Sequence, residues 1–238
     1  MEAGESVPES RTVFEPGVTS SYGNGWRQLW KYFLELFLIG IIVVVISIPS
    51  SISNYSTSAN DWMNPYNFMF LAFFGSAIAL LGTIYNLLVV GPVNYGVSYA
   101  YLKAARGDKL DIKDMFEGFK NYLNTVLANF LVGVIVVIGF FLLIIPGIIF
   151  ACKLAFVPYL VVEWKMDAIS AIKESWRMTN GHALEVFLIG LLGIPIVIAG
   201  LICFIVGVIV SIMWITTAMA SLYHAVDLQH RASMQRPA

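Results

Sequence analysis

Two residues of the sequence combine types and spacing that could support metal chemistry. His182 and Glu185 stand three residues apart, so on a helix their side chains would share one face. Two groups make a poor metal site, and a polar pair at a helix end is the commoner arrangement. The sequence contains no GxSxG, HExxH, Walker or Cys/His nucleophile pattern. We therefore expect no catalytic residue, metal or cofactor, and we do not expect an enzyme.

A lone basic residue within an apolar run is the second candidate. Lys153 is the only charged residue between Asn121 and Val162. Placing an ammonium inside a membrane costs about 2.5–3.5 kcal/mol on insertion scales, which makes such a residue a functional candidate. Its long stem could carry the charge to the outer headgroups instead. If Lys153 faces the helix bundle, its candidate polar partners are Asn86, Asn94, Asn129 and Glu35.

The composition indicates that these residues belong to an integral membrane protein. The chain is 58% hydrophobic and 12% charged, with a mean hydropathy of +0.78. Soluble domains have about 45–50% apolar and about 25% charged residues. A net charge of −1 gives no support for nucleic-acid binding. Cys152 and Cys203 both lie in apolar runs, which is typical of small buried hydrophobic side chains.

The lengths of the apolar stretches predict six membrane spans. A helix needs about 20 residues to cross a hydrocarbon core that is about 30 Å thick. Residues 121–162 would extend for roughly 60 Å as one helix, so we expect a turn at Pro146-Gly147. The same reasoning places a turn between Gly200 and Gly207. The second apolar stretch is too long for a simple crossing, so either Gly91-Pro92 bends it or its end projects beyond the lipid. The predicted spans are 33–52, one within 68–102, 123–145, 148–163, 184–203 and 206–226.

The basic residues predict the orientation of these spans. Of the 14 lysines and arginines, all except Lys153 lie in the termini or in the links after spans two and four. The opposite connections, including 53–67, contain none. Since short inner loops are rich in Lys and Arg, both termini are predicted to be cytoplasmic, in the cell (inner) membrane. Three basic residues of one inner link are candidate contacts for lipid headgroups: Lys103, Arg106 and Lys109.

A threefold repeat is suggested by similar strings in the sequence. FLIGII, FLVGVI and FLIGLL begin at residues 37, 130 and 187. An amphipathic segment precedes each string, and the expected N-caps are Asn24, Asp111 and Asp167. The glycines of the strings, Gly40, Gly133 and Gly190, are expected to allow close helix packing, although chance similarity between apolar segments is the alternative.

The predicted fold class is an all-α integral membrane protein. Its six transmembrane helices form three helical hairpins, and a cytoplasmic, interfacial amphipathic helix precedes each hairpin. Residues 1–21 are expected to be a disordered cytoplasmic tail, residues 22–228 the transmembrane domain, and residues 229–238 a second cytoplasmic tail.

Three runs together resemble a known family. They are GPVNYGVSYAYLKAARGDKLDIKDMFEGFKNYL (91–123), IIPGII (144–149) and DAISAIKESWRMTNGHALEVF (167–187). They are similar to prokaryotic multi-pass proteins often labelled "glycerophosphoryl diester phosphodiesterase membrane domain", over about residues 22–228. The resemblance implies architecture more than activity. Some relatives carry a soluble phosphodiesterase domain, and we expect none in this chain.

The function expected from the sequence is non-enzymatic. The chain is predicted to be a scaffold, an accessory subunit or a lipid-interacting membrane domain that acts through its cytoplasmic amphipathic helices. Membrane lipids are the expected partners, and another membrane or cytosolic protein is a further candidate. The alternatives are a small transporter or channel for an apolar or lipid-like solute, and a lipid-active membrane enzyme.

Overall fold

The structure, a computed structural model, describes residues 16–52, 76–202 and 204–234, and in these ranges it contains helices and no strand. The all-α prediction is therefore confirmed for the described residues. In chain order the α-helices are α1 (Val18–Lys31), α2 (Phe33–Ile52), α3 (Ser76–Tyr85), α4 (Gly91–Arg106), α5 (Tyr122–Leu142), α6 (Ile144–Lys153), α7 (Val157–Glu163), α8 (Ala168–Met178), α9 (Ala183–Ile202) and α10 (Phe204–Met234). A π-helical segment (Asn86–Val90) joins α3 to α4, and a 3₁₀ helix (Ile112–Phe119) precedes α5.

Five stretches of the described chain are long and apolar enough to cross a membrane. They are Ser76–Arg106, Tyr122–Leu142, Ile144–Glu163, Ala183–Ile202 and Val206–Met234. A sixth is obtained if Val18–Lys31 and Phe33–Pro49, which meet at an angle of 90°, count as one span. Five to six such helices fit a multi-pass membrane protein. The predicted connection 53–67 and the start of the second predicted span lie outside the described residues.

The ends of two helices differ from the predicted domain boundaries. α1 begins at Val18, before the boundary at 22, and α10 continues to Met234, beyond the boundary at 228. Asn24 is therefore inside α1, and the prediction that it caps this helix is wrong. Its side-chain Nδ2 instead donates to the carbonyl oxygen of Ala105 at 2.9 Å and to Ser221 Oγ at 3.0 Å. This amide thus ties α1 to α4 and α10.

The break between α5 and α6 lies at Leu143 and not at Pro146-Gly147. Leu143 has an extended backbone, and Pro146 is the third residue of α6. A proline is tolerated there because the first N–H groups of a helix have no intrahelical acceptor. α6 packs back against α5. A Cβ atom on Gly139 would come within 2.9 Å of Gly147 Cα, so these glycines permit the close packing of the two helices beside the break.

The helical stretch of the second span, Ser76–Arg106, continues through Pro92 without a sharp break. The π-helical segment leads directly into α4, where Pro92 stands in the first turn. Proline has no N–H to donate to the carbonyl four residues earlier, which belongs to Leu88. The hydroxyl of Tyr122 donates to that carbonyl oxygen at 3.0 Å. A side chain of α5 therefore satisfies a backbone acceptor that the proline leaves free, as an apolar environment requires.

Two of the predicted helix caps are confirmed. The Asp111 carboxylate accepts a hydrogen bond from the backbone N–H of Lys113, and the Asp114 carboxylate accepts one from the backbone N–H of Asp111, which completes a capping box. The Asp167 carboxylate caps α8 by accepting from the Ser170 N–H at 3.0 Å. Hydrogen bonds from Ser170, from its side chain and from its backbone, hold the pKa of Asp167 below its ordinary value.

The glycines that permit close packing are not those of the repeated strings. Among the described atoms, none lies within 4 Å of a Cβ built on Gly40, Gly133 or Gly190, so the prediction for them is wrong. Close contact occurs instead between α4 and the 3₁₀ helix. A Cβ on Gly96 would overlap the carbonyl of that helix's Met115, and one on Gly118 would overlap the Pro92 carbonyl.

α10 lies at the centre of the packed helices and contacts α1, α4 and α9. Tyr223, with 0% of its surface exposed, stacks on Tyr159 with ring centroids 4.6 Å apart and meets Phe156 edge-on at 5.3 Å. A Cβ on Gly25 would stand 3.0 Å from the Ala218 backbone nitrogen, so α1 lies almost directly on α10. The core thus joins the ends of α4, α7 and α10, where the charged residues are found.

Candidate functional site

The polar end of the core contains a network of paired charges, which we call the Arg106 network. Arg106, at the end of α4, lies 2.8 Å from Glu163 Oε1 of α7 and 3.4 Å from Asp227 Oδ2 of α10. The Arg106 Nε–H also donates to His224 Nδ1 at 3.1 Å. One guanidinium therefore ties three helices together.

A second arginine completes the Arg106 network. Arg231 lies 3.2 Å from Glu163 Oε1 and 2.9 Å from Asp227 Oδ2, and its guanidinium stacks over Trp164 at 4.7 Å. The Tyr223 hydroxyl donates to Glu163 Oε2 at 3.1 Å. The Asp227 side chain is only 2% exposed. A carboxylate buried to that degree requires charged partners, and two arginines with two carboxylates leave the pairs neutral.

The Arg106 network offers little to a metal or to acid–base chemistry. Its carboxylates are both engaged by arginines, and its tyrosine and histidine are part of the same hydrogen-bonded set. Within the described ranges there is no group of three or more His, Cys, Asp or Glu side chains that could hold a metal ion. The arrangement is suited to fixing the relative positions of α4, α7 and α10.

The three candidate headgroup contacts differ in their availability. Arg106 belongs to the network, and Lys103 forms an ion pair with Asp114 at 2.7 Å. Lys109 is exposed and forms no ion pair with a described residue. Of the three, Lys109 therefore has the charge that is most available to an external anion.

Lys153 has a different partner from the four candidates that the sequence provided. Its ammonium donates to Asn180 Oδ1 and lies 5.7 Å from the centre of the Trp176 ring. The helix breaks after Lys153, and its carbonyl oxygen accepts from Ser175 Oγ at 2.7 Å and from Thr179 Oγ1 at 3.3 Å. The end of α8 therefore covers the break between α6 and α7.

The three membrane asparagines do not form a cluster around Lys153. Asn86 and Asn94 are exposed, and neither side chain makes a hydrogen bond to a described residue. Asn129 lies against the start of α4, where a Cβ on Gly91 would be 2.5 Å from Asn129 Nδ2. Glu35, in α2, likewise has no contact with Lys153 among the described residues.

His182 and Glu185 lie together but do not form a hydrogen bond. His182 Nδ1 is 3.8 Å from Glu185 Oε1. His182 Nδ1 and Glu185 Oε2 are both buried without a hydrogen-bond partner in the described part of the chain. With both side chains about a quarter exposed (25% and 28%), the pair lies at the entrance of α9.

An apolar cavity of about 530 Å³ lies between α2 and the second span. Its wall contains Pro49, Leu81, Gly82, Tyr85 and Leu88. The Tyr85 hydroxyl donates to the carbonyl oxygen of Ile46 at 2.9 Å, close to the proline of α2. No charged residue belongs to the described lining, so the cavity is suited to an apolar group.

Sequence reasoning missed the acidic members of the Arg106 network. Glu163 follows the apolar run VPYLVV, and Asp227 follows YHAV at the end of the last span. Each is an acidic residue next to a membrane-length apolar segment, where an unpaired charge is costly. This position next to an apolar segment could have predicted that Glu163 and Asp227 pair with a basic residue such as Arg106. Which of these charged side chains pair with one another depends on how the helices pack, and the spacing of the residues in the sequence does not reveal it.

Comparison of the chain with protein-family models, with curated proteins and with solved structures gives no match.

Proposed function

We propose that the chain is a non-enzymatic multi-pass membrane protein that acts as a scaffold or accessory subunit through its inner-side helices. The observation that carries the proposal is the Arg106 network. Its charges are used to hold α4, α7 and α10 together, which favours a rigid surface over a reactive site. Such a surface is what a docked membrane or cytosolic protein would require.

The proposed topology has six spans in three hairpins. The protein lies in the inner membrane of the cell, and both of its termini are in the cytoplasm. The contacts of α5 with α6 and of α9 with α10 support the second and third hairpins. The right angle between α1 and α2, together with the separate α8, supports short helices that lie along the inner leaflet. The family resemblance is consistent with this architecture and is part of the same proposal.

The exposed face of α8 is the surface that we propose for docking. Ile169 is 55% exposed. Trp176, which stands seven residues later on the same face of the helix, is 38% exposed. Lys173 lies between them and is also exposed. Apolar and aromatic side chains are typical of the core of a binding surface, and a charged residue such as Lys173 is suited to its polar rim. This face lies on the side of the chain that carries the basic links, where cytosolic partners would be found.

Site-specific photo-cross-linking in native membranes tests this proposal. A photoreactive residue at Ile169 should give one saturable protein adduct of fixed mass, and the adduct should be lost when Lys173→Glu is added. The matched control is Leu191, which is 47% exposed on the apolar helix α9 and should contact lipid. Equal protein adducts at both positions, or none at Ile169, would refute docking through α8.

A second candidate function is favoured by the apolar cavity beside α2. A small transporter or channel for an apolar or lipid-like solute would need such a space next to a proline-interrupted helix and a π-helical segment. Filling the cavity with Gly82→Phe should then abolish movement of a fluorescent lipid analogue in reconstituted vesicles. Lys153→Met should also abolish it if the lysine lines the path. Unchanged flux in Gly82→Phe would remove this candidate.

A further inference from the structure

Lys153 follows a long apolar run and contacts the helix bundle without an acidic partner among the described residues. Within the described ranges, no carboxylate forms an ion pair with it, whereas five other basic residues do form such pairs: Lys103, Arg106, Lys120, Arg177 and Arg231. An ammonium in an apolar span is costly without a counter-ion. The described chain does not supply that anion, which leaves the position open to an external counter-ion.

The surface around Lys153 changes character at this residue. On one side, Ile144, Ile145 and Ile149 are 69%, 71% and 46% exposed. On the other side, Leu154 and Phe156 are 2% and 0% exposed, because α4, α5 and α8 pack against the second half of the span and the Tyr223 ring of α10 contacts Phe156. The large apolar side chains of this span are therefore exposed before Lys153 and buried directly after it. The ammonium lies at the edge of the apolar surface.

A polar stripe on α8 leads to the same point. Lys173, Trp176, Arg177 and Asn180 stand at i, i+3, i+4 and i+7, so they share one face. The Arg177 side chain is 59% exposed, and Asn180 is exposed as well. Basic residues and tryptophan are typical of the inner membrane interface. The stripe thus joins the inner surface to Lys153.

We propose that Lys153 binds the phosphate group of an anionic lipid of the inner leaflet, with Trp176 and Asn180 beside it. Asn180 Oδ1 accepts one ammonium hydrogen, which leaves other N–H donors for phosphate oxygens. A charge at this depth draws headgroups inward and thins the bilayer locally, which allows the phosphate to reach it. The site shares Trp176 with the proposed docking face of α8, but it does not include Ile169 and does not depend on a protein partner.

Lipid-dependent stability of the purified full-length chain tests the proposal. We expect phosphatidylglycerol to raise the thermal unfolding midpoint in detergent by more than phosphatidylcholine does. Lys153→Gln should lose at least half of that difference, and Asn180→Ala part of it. Lys113→Gln removes the same charge from an exposed position of an inner link that is not a candidate headgroup contact, and it should keep the difference. Equal effects of phosphatidylglycerol on Lys153→Gln and on the unaltered chain would overturn the site.

Two further measurements separate the sources of the phosphate and guard against a variant that does not fold. Water-soluble glycerol phosphate should leave the unfolding midpoint unchanged, and a shift equal to that of phosphatidylglycerol would assign the site to a free phosphate instead. A photoreactive phosphatidylglycerol in vesicles should label the unaltered chain near Lys153 or Asn180. Labelling confined to other segments would overturn the proposal without any substitution.

Discussion

Replacing Arg106 by glutamine should destabilise the protein because this residue holds three helices together. The substitution preserves much of the side-chain volume and removes the charge that lies 2.8 Å from Glu163 and 3.4 Å from Asp227. Removing one partner of a buried ion pair costs about 3–5 kcal/mol, whereas an exposed pair contributes about 0–1 kcal/mol. The magnitude therefore depends on burial and on the partners that remain.

The structure places the expected loss between these limits. The side chains of Arg106 and Asp227 are 19% and 2% exposed, which favours the larger value. Arg231 still lies 2.9 Å from Asp227 and 3.2 Å from Glu163, but it is 44% exposed and compensates in part. We expect a loss of about 2–3 kcal/mol. For a chain of this size that corresponds to roughly 5–10 °C in the unfolding midpoint.

A double-mutant cycle identifies the source of the loss. Arg106→Gln, Asp227→Asn and the double variant are compared by thermal unfolding in detergent, and the double variant should lose less than the sum of the single variants. Lys120→Gln is the matched control, because Lys120 forms an exposed pair with Glu117 and should show no measurable change. If Arg106→Gln is as stable as Lys120→Gln, the Arg106 network does not hold the helices together.

Two further substitutions test the packing of the same region. Gly96→Ala should destabilise the chain by about 1–3 kcal/mol, since the new methyl group would overlap a backbone carbonyl of the 3₁₀ helix. Its control is Gly133→Ala, which should be neutral or stabilising because no described atom lies within 4 Å of the new methyl group. Asn24→Ala should cost about 1–3 kcal/mol because it leaves the Ala105 carbonyl without its side-chain donor, whereas Asn94→Ala, at an exposed position, should have little effect. Each variant and its control are compared by thermal unfolding in detergent. A control that is destabilised as much as its partner variant, or more, would contradict the packing described.

The sequence predicted the features that depend on local chemistry and on hydrophobic length. Asp111 and Asp167 were identified as helix caps because a short carboxylate before an amphipathic segment has few other roles. α9 ends at Ile202 and α10 begins at Phe204, and both bounds lie within the range from Gly200 to Gly207 in which the lengths of the apolar stretches predict a turn. Five of the predicted spans correspond to helices of membrane length, and the sixth depends on how α1 and α2 are counted.

Features that depend on packing between distant segments could not be predicted. Pro146 marked the break between α5 and α6 to within three residues, but a proline is equally suited to the first turn of the next helix. The partner of Lys153 is 27 residues away and follows from the way α8 lies across the broken span. The close-packed glycines, such as Gly96, are set by the position of a backbone carbonyl that no pattern in the sequence reveals.

Cysteine accessibility in intact cells tests the membrane arrangement most directly, because every proposed role depends on which links face the cytoplasm. Lys109→Cys and Lys173→Cys are introduced singly into a chain in which Cys152 and Cys203 have been replaced by alanine. We predict that a membrane-impermeant maleimide leaves both new cysteines unlabelled until the cells are permeabilised, while Ser58→Cys is labelled from outside. Labelling at position 109 or 173 in intact cells would contradict the account.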